Sequence, residues 1–392
     1  MEEIECDVLV IGAGPSGSSA ARSSAQENLD TIIIDEKEQP GKDACAETLS
    51  KALLQYLPFK IPEKFLKWEL KGLRFYYDKT VITKDEGIWW KSNPLNRSEF
   101  DPYVLNLAKN EGATFLPFTK FMRLTYDQNY KVTEVIAENI KTNKIIKIRP
   151  KIVISAEGME FSVLKSINKL NQQKTLIGHI KSYEYHDINL EDFTYGHVYF
   201  GDYADGAYAY VFPKSETTAN IGIATLSDQN LDEKFETFLD VIKPIVKDSV
   251  KIVDRSGTAP IKYPSNKMSY GNILFTGDTA NQNLKPFVEG IIPGIICGSI
   301  AGKTASKCIS KISQIENEYQ SMISNQIGEL FEESDIITSI LTSSFEKQTN
   351  HRFLLELGIF SYMLDPKDLL AYSKMSDNEA EKFLRKKFDL NS

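Results

Sequence analysis

The chain has 392 residues, of which 42% are hydrophobic and 26% charged, and its formal net charge is −8. This length predicts two or three structural units around a substantial core, and the composition is typical of a soluble globular protein. The acidic balance argues against a general nucleic-acid binder. The longest apolar run, Gly290 to Gly302, is too short to span a bilayer and contains Pro293.

The cysteines and the acidic N-terminus bear on compartment and metal content. Glu2, Glu3 and Asp7 stand where a signal peptide would carry basic and apolar residues. We therefore expect a cytoplasmic protein with reduced thiols and no metal site. The four cysteines show neither a CxxC pair nor another metal-binding spacing, which excludes an iron–sulfur cluster and a redox dithiol: Cys6, Cys45, Cys297 and Cys308.

The first element is a nucleotide-binding fingerprint. An apolar strand from Asp7 runs into the turn Gly12-Ala-Gly14-Pro-Ser-Gly17, a helix follows, and a second strand ends at Asp35. The glycines permit a tight turn, close approach of a pyrophosphate and close helix packing, while the helix N-terminus attracts phosphate. Asp35 is placed to accept the ribose hydroxyls. The alternative is a structural glycine turn without a ligand.

The middle of the chain alternates between two kinds of pattern. Aromatic and β-branched residues in Gly72 to Trp90 and in Ile177 to Thr225 predict antiparallel strands. The segment Arg97 to Gly112 is helical in pattern, and Lys151 to Ser155 is typical of a buried parallel strand that ends in the turn Glu157-Gly158.

A second signal lies far downstream and favours FAD over NAD. The apolar strand from Asn272 ends in Gly277-Asp278, and a loop with Pro286 and Gly290 leads into an apolar helix. An FAD site needs such a partner, since a carboxylate can hold a ribityl hydroxyl and the helix N-terminus can stabilise charge on the reduced flavin. The alternative is an ordinary strand followed by an Asp helix cap.

These signals predict an α/β fold with interleaved units. The expected Rossmann-like FAD-binding domain is discontinuous, the inserted β-sheet forms the substrate domain, and the tail is helical with apolar positions such as Ile337, Leu341 and Leu357. The predicted boundaries are 1–72, 97–170 and 265–311 for the FAD domain, 73–96 and 171–264 for the sheet domain, and 312–392 for the helical region.

Four segments of the chain form a recognisable set. They are the N-terminal fingerprint, the loop Cys45-Ala46-Glu47-Thr48-Leu49-Ser50, the helix start Arg97-Ser-Glu-Phe-Asp101, and Tyr208-Ala-Tyr210-Val-Phe212-Pro213 followed by Gly222-Ile-Ala224. Together they resemble the geranylgeranyl reductases, which include archaeal digeranylgeranylglycerophospholipid reductases and have the flavoprotein fold of para-hydroxybenzoate hydroxylase. The resemblance runs to about residue 305. The family motifs have Trp at the position of Tyr210, and glycines at those of Ala46, Thr48, Ala224, Asn281 and Val288; Glu157 stands where the superfamily usually has Asp.

The resemblance implies a flavin-dependent reduction of isolated alkenes in isoprenoid chains, either ether lipids or prenyl diphosphates. It implies catalytic roles for Cys45, Tyr208 and Tyr210, with Tyr208, Tyr210, Phe212, Pro213 and Gly222 at the substrate. The cofactor-binding candidates are Gly12, Gly14, Ser16, Gly17, Asp35, Glu36, Cys45, Ala46, Thr48, Arg97, Phe121, Glu157, Gly158, Gly277, Asp278, Pro286, Gly290 and Ile291.

Simpler interpretations stay open for several of these residues. Cys45 suits a buried core position, the aromatic residues suit the packed face of a sheet, and Arg97 suits the surface. A flavin monooxygenase of the same fold and a low-activity paralogue that only binds FAD are the alternative functions. The electron donor, whether ferredoxin, NAD(P)H or another, is left open.

An isoprenoid lipid substrate implies contact with a membrane. We expect this contact to be peripheral, at the inner face of the cell membrane. The tail offers apolar residues beside a short basic run, although an ordinary packed terminal helix explains the same pattern: Phe360, Met363, Leu364, Phe383, Leu384, Arg385, Lys386, Lys387 and Phe388.

Overall fold

A computed structural model describes residues 2–41, 44–171, 176–262, 265, 267–347 and 349–389. The strands are β1 (Glu2–Ile11), β2 (Thr31–Ile34), β3 (Thr48–Ser50), β4 (Gly72–Tyr77), β5 (Thr80–Lys84), β6 (Ser92–Pro94), β7 (Thr114–Leu116), β8 (Thr119–Tyr126), β9 (Val132–Asn139), β10 (Lys144–Ser155), β11 (Leu176–His186), β12 (Tyr195–Tyr199), β13 (Ala209–Pro213), β14 (Thr218–Thr225), β15 (Val250–Lys262), β16 (Ser269–Tyr270) and β17 (Ile273–Phe275).

The helices are α1 (Pro15–Gln26), α2 (Arg97–Asn110), α3 (Ser162–Ser166), α4 (Leu231–Val241), α5 (Lys243–Val246), α6 (Ile291–Cys308), α7 (Ile315–Lys347), α8 (Arg352–Phe360), α9 (Pro366–Tyr372) and α10 (Asp377–Lys387). Together with the strands they confirm the predicted mixed α/β fold class, with a parallel sheet, a largely antiparallel sheet and C-terminal helices.

The first sheet has a parallel centre in the order β17-β10-β1-β2-β7. Antiparallel pairing extends it, with β16 on β17, β9 on β10, and β8 on β9. Its central strands are buried on both faces, which is why they read as continuous apolar runs. The carboxyl ends of parallel strands share one edge. Gly12, Asp35, Ala156 and Gly277 therefore meet at that edge although they are distant in sequence.

Helix α1 lies against α6 at backbone contact distance. A Cβ at Gly298 would stand 2.1 Å from the Ser16 carbonyl oxygen, so only glycine fits there. Hydroxyls reinforce the contact, because Ser19 Oγ donates to the Ile295 carbonyl at 2.7 Å. The serine and alanine content of α1 is thus explained by the thin space that it occupies between the sheet and α6.

The second sheet has the order β15-β11-β14-β13-β12-β4-β5. The prediction of antiparallel strands is wrong for one pairing, since β4 and β12 run parallel. These two strands are separated by more than a hundred residues, so no hairpin dictates their direction. Trp89 and Trp90 were also predicted in a strand but lie in a 3-10 turn, Ile88–Trp90, and Trp89 is 58% exposed.

The C-terminal helices cover the aromatic face of the second sheet. Phe360 of α8 packs on Phe200, Tyr208 and Phe287 with ring centroids 5.2 to 5.3 Å apart. Leu357 of the same helix is fully buried in this cluster. The helical region is therefore part of the core around the site, and the tail residues Phe360, Leu364 and Leu384 are buried.

Candidate active site

A cavity of about 980 Å³ joins the parallel sheet to the aromatic face of the second sheet. It begins at the turn after β1, passes the loop before β3, and ends between the second sheet and helices α7 and α8. Its volume lies at the upper end of the range for small-molecule sites. Every catalytic and cofactor-binding candidate except Gly17 lines the cavity. Of the substrate candidates, Tyr208, Tyr210 and Phe212 line it, whereas Pro213 and Gly222 do not.

The three glycines of the first turn have different physical tasks. Gly12 has φ +100°, and a Cβ there would stand 2.3 Å from the Ala156 carbonyl oxygen. A Cβ at Gly17 would stand 1.9 Å from the Gly12 carbonyl oxygen, so Gly17 is required for packing. Gly14 has ordinary φ and ψ of −61° and 179°, and no atom lies within 4 Å of a Cβ built there. The protein itself therefore does not require glycine at position 14.

The acid at the end of β2 is anchored by backbone donors. One Asp35 carboxylate oxygen accepts the Ala13 N–H at 2.7 Å, and the other accepts the Lys37 N–H at 2.8 Å. Each oxygen retains a second lone-pair direction for a ligand. Glu36 points to the surface, where it pairs with Lys120 at 2.9 Å.

The second turn, after β17, sits directly on the first. A Cβ at Gly277 would stand 2.8 Å from Ser16 Cβ, and Ser16 Oγ bonds to Thr276 Oγ1 at 3.0 Å. The Ser16 hydroxyl is thus directed at the second turn, and only its backbone is left for a phosphate. Asp278 follows Gly277, and a Cβ at Gly290 would stand 3.3 Å from its Oδ1. The start of α6 and this carboxylate therefore meet at the cavity.

Glu157, just after β10, carries a half-buried carboxyl on the cavity wall. Its Oε1 accepts the Val163 N–H at 2.9 Å in the first turn of α3, and the Ser155 hydroxyl at 3.3 Å. Burial outweighs these bonds and raises the pKa of Glu157 to about 7. Its hydrogen bonds fix the turn that carries Gly158.

The loop before β3 carries Cys45, Ala46 and Thr48 along the cavity. The Cys45 carbonyl accepts the Asn220 side-chain N–H at 2.7 Å, which ties the loop to β14. Burial raises the pKa of the Cys45 thiol, so it is a neutral group at pH 7. The four cysteines are free, and only Cys45 is partly exposed.

Glu47 of this loop was missed as a site residue. Its side chain is buried, with carboxylate oxygens 2.9 Å from Lys214 Nζ and 2.7 Å from Arg255 Nη1. The Arg97 N–H donates to the same carboxylate at 3.2 Å. We call these contacts the Glu47 network. It joins the loop to the second sheet and to the start of α2, and the motif match at Cys45 was the only sequence signal for it.

Arg97 is not a surface residue. Its guanidinium forms a two-bonded ion pair with the buried Asp101 one helical turn later, with N–O distances of 2.5 and 3.3 Å. The motif match of Arg97 with Asp101 thus corresponds to a direct contact. The arginine still lines the cavity.

Tyr208, Tyr210 and Phe212 form an aromatic wall. Centroid distances are 6.0 Å between the two tyrosines and 4.8 Å between Tyr210 and Phe212. The Tyr208 hydroxyl donates to the Phe287 carbonyl at 3.0 Å. Gly222 lies behind the wall, since a Cβ there would stand 2.5 Å from the Tyr210 hydroxyl. Its role is to make room for the ring.

Two ionisable groups on one short hairpin were also missed. Leu284 and Glu289 exchange two backbone hydrogen bonds of 2.9 Å, which close the loop between them. Lys285 and Glu289 both line the cavity. Burial lowers the pKa of Lys285 to about 8 and raises that of Glu289 to about 7. Neither residue belongs to a motif, so sequence reasoning had no signal for them.

Comparison with known proteins gives consistent results. A family model described as the geranylgeranyl reductase catalytic domain matches residues 179–257, a segment that runs from β11 to β15 and includes α4 and α5. Digeranylgeranylglycerophospholipid reductase 2 of Methanosphaera stadtmanae is 30% identical over 292 residues, covering 71% of this chain and 72% of that protein.

Two solved structures share the fold. A geranylgeranyl bacteriochlorophyll reductase-like protein from Thermoplasma acidophilum superposes with a TM-score of 0.79 at 22% identity, covering 97% of this chain and 100% of that one. The myxobacterial halogenase CndH, of the FAD-dependent halogenases, superposes with a TM-score of 0.69 at 12% identity, covering 99% and 98%. On the sequence relationship and the family-model match, the chain belongs to the geranylgeranyl reductase family.

Proposed function

We propose that the protein is an FAD-dependent ene-reductase that saturates C=C bonds of geranylgeranyl chains in isoprenoid ether lipids. One observation carries the proposal: a single cavity runs from the dinucleotide turn to the aromatic wall. In a family whose relatives include digeranylgeranylglycerophospholipid reductases, this arrangement supports a cofactor site beside a site for an apolar chain.

The residues at the first turn fit a dinucleotide. Packing leaves the space beside Gly14 open, and a pyrophosphate requires such a space to approach the backbone. Helix α1 begins there without a side-chain cap. Asp35 would hold the adenosine ribose, Gly14 and the Ser16 backbone the pyrophosphate, and Asp278 the ribityl chain. Bound FAD would supply a hydride for alkene reduction.

The aromatic wall fits an isoprenoid chain. Phe287 and Phe360 extend the apolar surface from Tyr208 toward α8. An alkene carbon must approach the hydride donor to about 3–3.5 Å, so the wall's role is to position the chain. Cys45 and Ala46 line the same cavity, and Ala46 packs against the aromatic cluster that contains the wall.

The monooxygenase alternative is not favoured, since the relatives are reductases. Prenyl diphosphates are the second candidate substrate, because their isoprenoid chain would enter the same apolar cavity as that of an ether lipid. The electron donor, ferredoxin, NAD(P)H or another, is not identified by any residue described above.

We also propose peripheral membrane contact through the cavity mouth, not the tail. Within the part of the chain that the structure describes, no helix has the length and apolarity to cross a bilayer. Several tail residues named for lipid contact are buried. By contrast, Ile88 and Trp89 are about half exposed, and Trp89 also lines the cavity, so it stands where cavity and surface meet.

The test is reduction of a geranylgeranyl ether lipid by the purified protein. Bound flavin would first be released and identified by mass spectrometry. Anaerobic incubation with dithionite should then give products heavier by two hydrogens per reduced bond. A protein that binds no flavin, or leaves the lipid unsaturated, would reject the proposal.

Tyr210 tests the substrate end of the site. Tyr210→Ala should lower the rate about tenfold or more, or change which bond is reduced, since the chain loses its lateral support. Tyr210→Phe keeps the ring and serves as the control. Equal rates and products for the parent and Tyr210→Ala would remove the wall from the substrate site.

A further inference from the structure

We propose that Glu289 is the proton donor for alkene reduction. This inference rests on the proposed function and assigns the second of the two hydrogens that the reaction adds.

Glu289 presents its carboxyl on the substrate side of the hairpin. Oε1 accepts the Ser50 N–H at 2.9 Å, and Ser50 itself lines the cavity. Tyr208 and Tyr362 are its electrostatic neighbours, from the second sheet and from the turn after α8. The carboxyl thus lies between the aromatic wall and the C-terminal helices, with one oxygen fixed by a backbone donor.

A carboxyl in this position has no recognition task for a hydrocarbon chain. The isoprenoid chain carries no donor or acceptor near its double bonds, and burying an unpaired polar group costs free energy. Alkene reduction, however, consumes one proton per bond. A protonated carboxyl on the cavity wall can supply that proton, which gives the half-buried acid a chemical reason to be there.

Two other cavity groups with shifted pKa values, Glu157 and Lys285, are less suitable. Glu157 lies at the nucleotide end, where its Oε1 is held by Val163 and Ser155. Lys285 Nζ is bonded to Asn281 Oδ1 at 2.9 Å and faces Asp278 and Asp335.

The thiol and the phenols are weaker acids. Burial raises the pKa of Cys45 and of both wall tyrosines above their already high ordinary values. A carboxyl on the substrate side therefore needs the least free energy to release a proton.

Bound reduced flavin would supply a hydride, with its electron pair, to one alkene carbon. The π pair would form a C–H bond at the other carbon with the Glu289 proton, and the O–H pair would stay on the carboxylate. The alkene would thereby be reduced and the flavin oxidised. The carboxylate regains a proton from solvent before the next turnover.

The role predicts a pH dependence with a defined sign. Burial raises the pKa of Glu289 to about 7, although the hydrogen bond from the Ser50 N–H acts to lower this pKa. The groups around it are Tyr208, Tyr362 and, along the same cavity, Cys45 and Glu333. Only the protonated carboxyl donates, so the rate should fall as pH rises through about 7.

The experiment compares Glu289→Gln with the parent under anaerobic dithionite. The amide keeps the bond to the Ser50 N–H but has no acidic proton. We expect kcat to fall about 100-fold or more with little change in KM, and the loss of rate above pH 7 to be absent from the residual activity. Glu332→Gln, at an exposed position on α7, is the matched control. A variant with the parent's kcat and pH profile would overturn the role.

Two further measurements cover a variant that folds poorly. Glu289→Asp shortens the side chain by one methylene and so moves the carboxyl away from the substrate. It should lower kcat while retaining the pH dependence. An unchanged kcat would contradict the role. Infrared titration of the FAD-loaded parent should show a carboxylic C=O band that disappears as pH rises, and this band should be absent from Glu289→Gln and shifted in frequency in Glu289→Asp. Absence of such a band would show a permanently ionised group and reject the role. A parent that reduces no geranylgeranyl lipid rejects the function and the role together, whereas equal rates in an active parent and in Glu289→Gln reject the role alone.

Discussion

At the scale of single residues, Gly14 separates ligand binding from folding. The backbone there suits any residue, and a Cβ would meet only open space. Gly14→Val should therefore fold as the parent does but place its side chain where the pyrophosphate is proposed to lie. We expect FAD affinity to fall at least about 100-fold, measured by flavin fluorescence titration of the apoprotein.

The matched control is Gly328→Val. Gly328 lies in α7, where a Cβ would make ordinary contacts with Ser324 and does not reach the cavity. It should bind FAD with the parent's affinity. Parent-like affinity in Gly14→Val would show that the dinucleotide lies elsewhere.

Glu157 should make stability depend on pH. Its pKa is raised to about 7 in the folded protein and is near 4.5 when unfolded. The folded state therefore binds more protons between these values, so this group's contribution to stability is greatest below about pH 4.5 and is lost as pH rises through 7. Glu157→Gln should flatten the pH dependence of the free energy of unfolding, measured in urea from about pH 5 to 8. Identical slopes in both proteins would contradict the assignment.

At the scale of elements, the Glu47 network fixes the loop that carries Cys45. Glu47→Ala would leave Lys214 and Arg255 partly buried without their shared carboxylate, and Lys214 would keep only Glu184. We expect a loss of about 3–5 kcal/mol in the free energy of unfolding. Asp232→Asn breaks a pair whose acid is 83% exposed, and should cost less than about 1 kcal/mol. Similar small losses in both variants would show that the network does not stabilise the loop.

The sequence predicted elements with strong local patterns. The fingerprint around Gly12, the helix that begins at Arg97 and the buried strand ending at Ser155 all follow from periodicity and turn chemistry. The parallel pairing of β4 with β12 could not be predicted, because it depends on tertiary packing between distant segments. The small residues of α1 and α6 are visible in the sequence, but they do not show which helix each one packs against. The close contact between the two helices therefore appears only in the structure.

The candidate site follows the same division. Residues in motifs, such as Asp35, Cys45 and Tyr210, were named from the sequence and lie along the cavity. Glu289 and Lys285 could not be named, since a carboxyl and an amine in a loop are normally solvated. Only the packing of other elements around the cavity buries Lys285 and half-buries Glu289. That information lies in the whole fold, not in the loop.

At the scale of the whole molecule, the C-terminal helices complete the site. The resemblance ended near residue 305, yet Leu341, Phe360 and Tyr362 line the cavity. A protein truncated before Asn378 would lack Leu384, which is fully buried in a core cluster. The truncation would therefore disturb folding as well as any membrane contact. A test of membrane contact therefore requires a surface substitution.

Trp89 offers that substitution. It is 58% exposed at the cavity mouth, and its neighbour Trp90 packs on Phe75 and Tyr362 at 6.0 and 5.7 Å, so the turn is held rigidly while Trp89 faces outward. Tryptophan is favoured at membrane interfaces, where its ring is partly buried. Trp89→Ser should lower partition into ether-lipid vesicles about fivefold, equivalent to about 1 kcal/mol of lost apolar burial, in a flotation assay. Met122→Ser removes an exposed apolar residue of β8, which does not line the cavity, and should float as the parent does. Equal flotation of the parent and Trp89→Ser would reject the cavity mouth as the contact, and a parent that stays with the soluble fraction would reject membrane contact itself.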